Sequence, residues 1–145
     1  MLMNDLTVQA TDRRKRELKR VRRNNELIKR LARKLDVVNQ RIYTLKSPEV
    51  SGMPRGGDPV TLPDLIADKA DLEARIKRLS EKGRQYRTEI LEEIDELDID
   101  PKCVEVVELF LVDCNNFAEI AEIVGYSERQ VQRYYKTAMS ALLSQ

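Results

Sequence analysis

The sequence predicts an all-α protein: a long antiparallel, coiled-coil-like helix pair joined by a Pro/Gly-rich loop and followed by a C-terminal helix-turn-helix. Apolar residues recur every seven positions, prolines and glycines concentrate in one central segment, and capping residues flank a glycine near the C-terminus. The 145 residues amount to about one domain of typical size. We divide the chain into a flexible N-terminus (1–12), the helix pair with its loop (13–100) and the helix-turn-helix domain (101–145).

The first predicted helix carries a seam of apolar residues with a heptad period. The two interleaved series are Val21, Ile28, Leu35 and Ile42, and Leu31, Val38 and Leu45. A period of about 3.5 residues is typical of a coiled-coil helix. Extended upstream, the two series fall on Asn24, Glu17 and Arg14, so the apolar stripe is expected to end near Val21. We therefore expect the basic turns before Val21 to project past any partner helix.

A second seam follows in the next predicted helix, with spacings of three, four or seven. Its members are Leu62, Leu65, Leu72, Ile76, Leu79, Tyr86 and Ile90. Lys69 and Gly83 interrupt this seam, and Gly83 predicts a local bend or a close helix contact. Pro101 predicts the end of the helix. The pattern leaves open whether the two seams pair within one chain or between the chains of a homodimer.

The segment that separates the two helices, 47–61, holds three of the five glycines and three of the five prolines. We therefore predict a hinge loop there. Its glycines are not followed by the Gly-Lys-Ser/Thr of a phosphate-binding loop, so we expect no nucleotide site.

The composition argues against catalysis. Charged residues make up 35% of the chain, aromatic residues 5%, and histidine is absent. Because histidine is the commonest general base and metal ligand, its absence removes triad chemistry and imidazole metal sites. Cys103 and Cys114 fit neither a disulfide framework nor a zinc motif. We expect no enzyme, no catalytic residue, no metal and no cofactor.

No apolar run approaches the roughly 18–20 residues that a membrane-spanning helix requires, and the first residues lack a signal-peptide pattern. We therefore expect a soluble, intracellular protein with no membrane partner.

The net charge of +1 hides a strong separation of charge along the chain. Residues 11–46 contain 14 Lys/Arg and 4 Asp/Glu, a net +10, whereas 47–100 carry −6 and 101–145 carry −2. Clustered basic residues favour polyphosphate surfaces, although a solvated helix face or a disordered basic arm is the alternative interpretation. We predict that phosphates are contacted by Arg13, Arg14, Lys15, Arg16, Lys19, Arg20, Arg23 and Ser127.

Three short helical stretches follow Pro101. Asn116 caps the second, Gly125 ends it, and Ser127 begins the third with Gln130 in a capping box. Ile120, Val124 and Val131 are expected to form the small core between the last two helices, which would make a helix-turn-helix. The side chains expected to read bases in the major groove are Glu128, Arg129, Gln132, Arg133 and Lys136. A surface helical hairpin with solvated charges is the alternative.

These residues resemble a known motif. The run Phe117-x-x-Ile120-Ala121-x-x-Val124-Gly125-Tyr126-Ser127-x-x-x-Val131, continued by Ala138 and Leu142, resembles region four of the sigma factors, which reads the −35 element of promoters. From about 13 to 143 the chain resembles the ArpU/RinA-type phage regulators of late transcription. By this resemblance Glu128, Arg129, Gln132 and Arg133 match the DNA-facing positions.

The resemblance implies an activator of phage or prophage late genes. Its ligand would be double-stranded DNA, RNA polymerase would be a candidate partner, and its location would be the bacterial host cytoplasm, on the nucleoid when bound. Two other functions are compatible with the same predicted features: a DNA-recognising packaging protein like a small terminase subunit, and a coiled-coil adaptor without DNA affinity.

Overall fold

The computed structural model describes residues 2–46 and 60–145, and these residues form six α-helices and no β-strand, which confirms the all-α class. The helices are α1 (Leu2–Leu18), α2 (Arg20–Lys46), α3 (Leu62–Asp95), α4 (Pro101–Leu111), α5 (Phe117–Val124) and α6 (Glu128–Leu143). The chain divides into two compact units, one comprising 1–25 and 83–145 and the other comprising 26–82. Among the described helices none is both long and apolar enough to cross a bilayer.

The chain is helical from Leu2, within the segment 1–12 that we expected to be flexible. The sequence from Leu2 to Leu18 contains neither proline nor glycine, and extending an existing helix by one residue costs far less than starting a new one. Only Lys19 separates α1 from α2. Backbone hydrogen bonds from Lys19 N to Lys15 O (3.1 Å) and from Arg23 N to Lys19 O (3.0 Å) bridge the interruption.

In the unit of residues 26–82, one member of each heptad seam is buried. Leu31 of α2 and Leu65 of α3 are 1% and 2% exposed. The other seam members of this unit are half-buried: Ile28, Leu35, Val38, Ile42, Leu45, Leu62, Leu72, Ile76 and Leu79. Except for Val60 and Thr61, the predicted hinge loop lies outside the described residues. Thr61 Oγ1 accepts a hydrogen bond from Asp64 N at 3.3 Å at the start of α3.

The core of the other unit is shared among α1, α2, α3, α4 and α6. Its buried members are Leu18, Val21, Ile90, Ile94, Cys103, Val107, Leu111, Val112, Ala138, Met139 and Leu142. The boundary that we predicted at residue 100 therefore does not coincide with the division of the structure. The C-terminal helices do not form this core by themselves. α4 and α6 bury apolar side chains against α1 and α3 as well as against each other.

The buried stripe continues upstream of Val21, which differs from our expectation. Leu18 is fully buried, whereas Glu17, the position given by the heptad series, is exposed. The stripe shifts by one residue at this point, so the basic turns around Leu18 remain packed on the protein. Gly83 makes the predicted close helix contact: a Cβ at this position would lie 2.7 Å from Nδ2 of the buried Asn24.

Candidate nucleic-acid interface

The beginning and end of α5 are fixed by local hydrogen bonds. Asn116 Oδ1 accepts from Glu119 N at 2.8 Å, and Glu119 Oε1 accepts from Asn116 N at 3.3 Å. At the other end Gly125 adopts φ 78° and donates its N–H to Ala121 O at 2.9 Å. Glycine is preferred there because a left-handed backbone disfavours a Cβ.

The start of α6 is capped in the same way. Ser127 Oγ accepts from Gln130 N at 3.2 Å, and Gln130 Oε1 accepts from Ser127 N at 3.1 Å. Only three residues, Gly125 to Ser127, separate α5 from α6. The hydroxyl of Ser127, which we predicted to contact phosphate, is already used in this capping box.

A small core lies beneath the turn. Val106, Ile120 and Val131 are fully buried, one each from α4, α5 and α6. Val124, which we expected in this core, packs against it while remaining half-buried. α4 thus supports both helices that flank the turn.

The five predicted base readers all lie on the exposed surface of α6: Glu128, Arg129, Gln132, Arg133 and Lys136. The buried residues of α6 are Val131, Ala138, Met139 and Leu142. Within the described part of the chain, Arg129, Arg133 and Lys136 form no ion pair. Their charged groups are therefore available to a ligand at the surface.

Two of the cations predicted to contact phosphate form ion pairs with acidic residues of α3. Arg14 Nη2 lies 2.7 Å from Glu93 Oε1, and Arg20 Nη2 lies 2.9 Å from Glu89 Oε2. The other predicted cations of this segment are exposed: Arg13, Lys15, Arg16, Lys19 and Arg23. The basic surface is therefore smaller than the sequence count suggests, because acidic residues of α3 partly neutralise it.

Arg22, which we did not predict as a site residue, connects α2 to the C-terminal helices. Its Nη1 donates to Phe110 O at 2.8 Å and to Asn115 O at 2.9 Å, and its guanidinium lies 3.8 Å from the centre of the Phe110 ring. These contacts hold the last turn of α4 and the residue before the cap of α5. No signal in the sequence separates Arg22 from its basic neighbours, because the burial of Leu18, four residues earlier on the same helix face, is known only from the structure.

An aromatic cluster extends from the Arg22 contact into all three C-terminal helices. Phe110 of α4 stacks on Phe117 of α5 with ring centroids 4.8 Å apart, and Tyr135 of α6 lies 4.6 Å from Phe110. Burial raises the pKa of Tyr135, and the nearby charge of Arg22 partly opposes this shift. Tyr135 thus stays a neutral packing element at physiological pH.

Lys102 is a second cation that sequence reasoning missed. Its Nζ lies 5.9 Å from the ring centroid of Tyr126, which belongs to the turn between α5 and α6. Lys102 is exposed at the start of α4, so its charge lies beside the turn. Nothing in its sequence spacing indicates this proximity, because 24 residues separate it from Tyr126.

Part of α4 is acidic instead. Burial raises the pKa of Glu108, and the carboxylates of Asp113, Asp95 and Glu105 raise it further. This set of carboxylates would repel phosphates. Among the described residues, no His, Cys, Asp or Glu side chains are grouped so that they could hold a metal ion.

Comparison with known proteins adds no assignment. No protein-family model matches the chain, and no curated protein or solved structure is significantly similar to it. The candidate interface therefore stands on the geometry and chemistry of its own residues.

Proposed function

We propose that this protein is a sequence-specific DNA-binding regulator of transcription whose α5 and α6 form a helix-turn-helix. The observation that carries the proposal is the amphipathic character of α6: five long or charged side chains are exposed, while Val131, Ala138, Met139 and Leu142 of the same helix are buried. A recognition helix requires this arrangement, because its polar side chains must reach base edges in the major groove while its apolar side stays on the protein.

The capping contacts support the same proposal. Capping boxes at Asn116 and Ser127 fix where α5 and α6 begin, and the left-handed Gly125 fixes where α5 ends. Arg22 and the aromatic cluster then hold α4, α5 and α6 together. A DNA-reading helix benefits from such support, since base contacts depend on side chains that are placed within tenths of an ångström.

We further propose a division of labour between base and phosphate contacts. α5 and α6 carry three acidic residues, Glu119, Glu122 and Glu128, against three basic ones, Arg129, Arg133 and Lys136. Electrostatic attraction to phosphates supplies most non-specific affinity for DNA, and a balanced unit provides little of it. The exposed cations Arg13, Lys15, Arg16, Lys19 and Arg23 would supply it, with Lys102 beside the turn as an additional contact.

For the unit of residues 26–82 we propose an antiparallel, coiled-coil-like pair of α2 and α3. Leu27 of α2 shares a groove with Leu79 of α3, and Val38 shares another with Leu72. Successive residues of α2 therefore lie beside earlier and earlier residues of α3, so the two helices run in opposite directions. The buried heptad positions Leu31 and Leu65 agree with such a pair.

The biological role proposed for this regulator is activation of phage late genes, with RNA polymerase as a protein partner in the bacterial cytoplasm. This part rests on the resemblance of residues 117–142 to sigma-factor region four and of the whole chain to the ArpU/RinA-type regulators.

Selection of bound fragments from a phage or prophage genome by the purified full chain tests the proposal. We expect recovery of a short shared sequence upstream of an operon of structural genes. Enrichment at a packaging start, together with large rings in light scattering, would instead assign a small terminase-like role. Failure to shift any duplex at low salt would contradict DNA binding and favour the coiled-coil adaptor.

A further inference from the structure

The unit of residues 26–82 carries an open groove that the proposed DNA-binding role does not use. It measures about 420 Å³ and lies between α2 and α3. Its apolar lining includes Val37 and Leu72, and charged side chains surround these residues. Val37 is 48% exposed.

The charged side chains that line the groove sum to no net charge. Lys34 and Arg75 provide two positive charges, and Asp68 and Asp71 provide two negative ones. Within the described ranges 2–46 and 60–145, none of these four side chains takes part in an ion pair. A partner for this groove should therefore present both signs of charge beside an apolar strip.

A second copy of the same groove meets that requirement. Asp68 and Arg75 are seven residues apart on α3, which corresponds to about two helical turns, or about 10 Å. A two-fold axis that lies between the two copies, at a right angle to α3 and level with Leu72, brings Asp68 of each copy to Arg75 of the partner subunit. Both ion pairs then form at once, because a two-fold interface joins each patch to the same patch of the other subunit.

We propose that the protein forms a two-fold homodimer through this groove, with Val37 and Leu72 at its centre and two Asp68–Arg75 pairs at its ends. Leu31 and Leu65 do not take part in this interface, because a single chain already buries them, whereas the half-buried seam residue Leu72 does. The proposal concerns association only and is independent of DNA binding. Its test therefore contains no DNA.

Sedimentation equilibrium of the full chain tests the dimer with a charge exchange. Asp68→Arg and Arg75→Asp, made singly, each replace two attractive pairs by two repulsive ones, and each should raise the dimer dissociation constant about tenfold. The double variant D68R/R75D restores opposite charges and should return the constant to within about twofold of the unmodified chain. Glu81→Arg, an exposed charge reversal on α3 outside the groove, should leave it unchanged.

Circular dichroism of each variant checks that the helices remain folded. A chain that sediments as a monomer at every concentration would overturn the proposal, and so would a species larger than a dimer. A dimer that is insensitive to both single reversals, or that the double variant fails to restore, would also overturn it.

Discussion

The guanidinium of Arg22 lies against Phe110 at 3.8 Å from the ring centre and also donates a 2.8 Å hydrogen bond to the Phe110 carbonyl. One residue of the basic segment thus contacts both the side chain and the backbone of the last turn of α4. A cation near the C-terminus of a helix is also favoured by the helix dipole. Arg22 therefore has a structural role, unlike the exposed cations around it.

Replacing Arg22 should destabilise the protein. Arg22→Met removes two hydrogen bonds from a charged donor and one cation–π contact, and we expect the free energy of unfolding to fall by about 2 kcal/mol. Arg22→Lys keeps the charge but loses the planar stack and should recover only part of this loss. Urea denaturation provides the measurement. Arg30→Met at an exposed position of α2 is the matched control, and an equal loss in both variants would contradict the role of Arg22.

Gly83→Ala should be destabilising although alanine is the better helix former. The new Cβ would lie 2.7 Å from Nδ2 of Asn24, which is 9% exposed and has little room to move. We expect a loss of about 1 kcal/mol in thermal or urea unfolding. In an Asn24→Ala background the same change should become neutral or stabilising, by up to about 1 kcal/mol, because helix propensity then dominates. An equal effect in both backgrounds would show that Asn24 is not the obstacle.

Gly125→Ala should weaken the connection between α5 and α6. Gly125 has φ 78°, and a non-glycine residue in this left-handed conformation costs about 1 kcal/mol. A Cβ at this position would have none of the described residues within 4 Å, so the cost comes from the backbone and not from a clash. Asn, which tolerates this conformation better, should lose less in thermal unfolding than Ala; the reverse order would contradict the explanation.

The salt dependence of DNA binding should distinguish the exposed cations from the paired ones. Each phosphate contact contributes about 0.9 to the slope of log affinity against log salt, so the triple variant of Arg13, Lys15 and Arg16 to alanine should lower the slope by up to about 3. Alanine at Arg14 and Arg20, which face Glu93 and Glu89, should change it much less. An unchanged slope in the triple variant would show that this segment does not contact phosphates.

Features determined by neighbouring residues could be predicted from the sequence. The caps at Asn116 and Ser127 and the glycine at 125 depend on residues a few positions apart, and the structure has all three. Heptad spacing likewise predicts the buried Leu31 and Leu65, because periodicity determines which face of a helix is apolar.

Contacts between distant residues could not be predicted in this way. Arg22 and Phe110 are 88 residues apart, and in the sequence Arg22 is one more member of a basic run. The one-residue shift that buries Leu18 instead of Glu17 depends on α3, α4 and α6, which supply the core around it. The same tertiary packing places the domain division elsewhere than at Pro101.

The central claim is that α6 reads DNA sequence, and Arg133→Ala tests it most directly. The affinity of the unmodified chain and of this variant should be measured for the selected duplex and for each of its single base-pair substitutions. We predict that the variant loses about 1–3 kcal/mol of discrimination at one base pair and keeps its preferences elsewhere. Equal weakening on every duplex would assign Arg133 to a phosphate, and an unmodified chain that binds all duplexes alike would contradict sequence reading by α6.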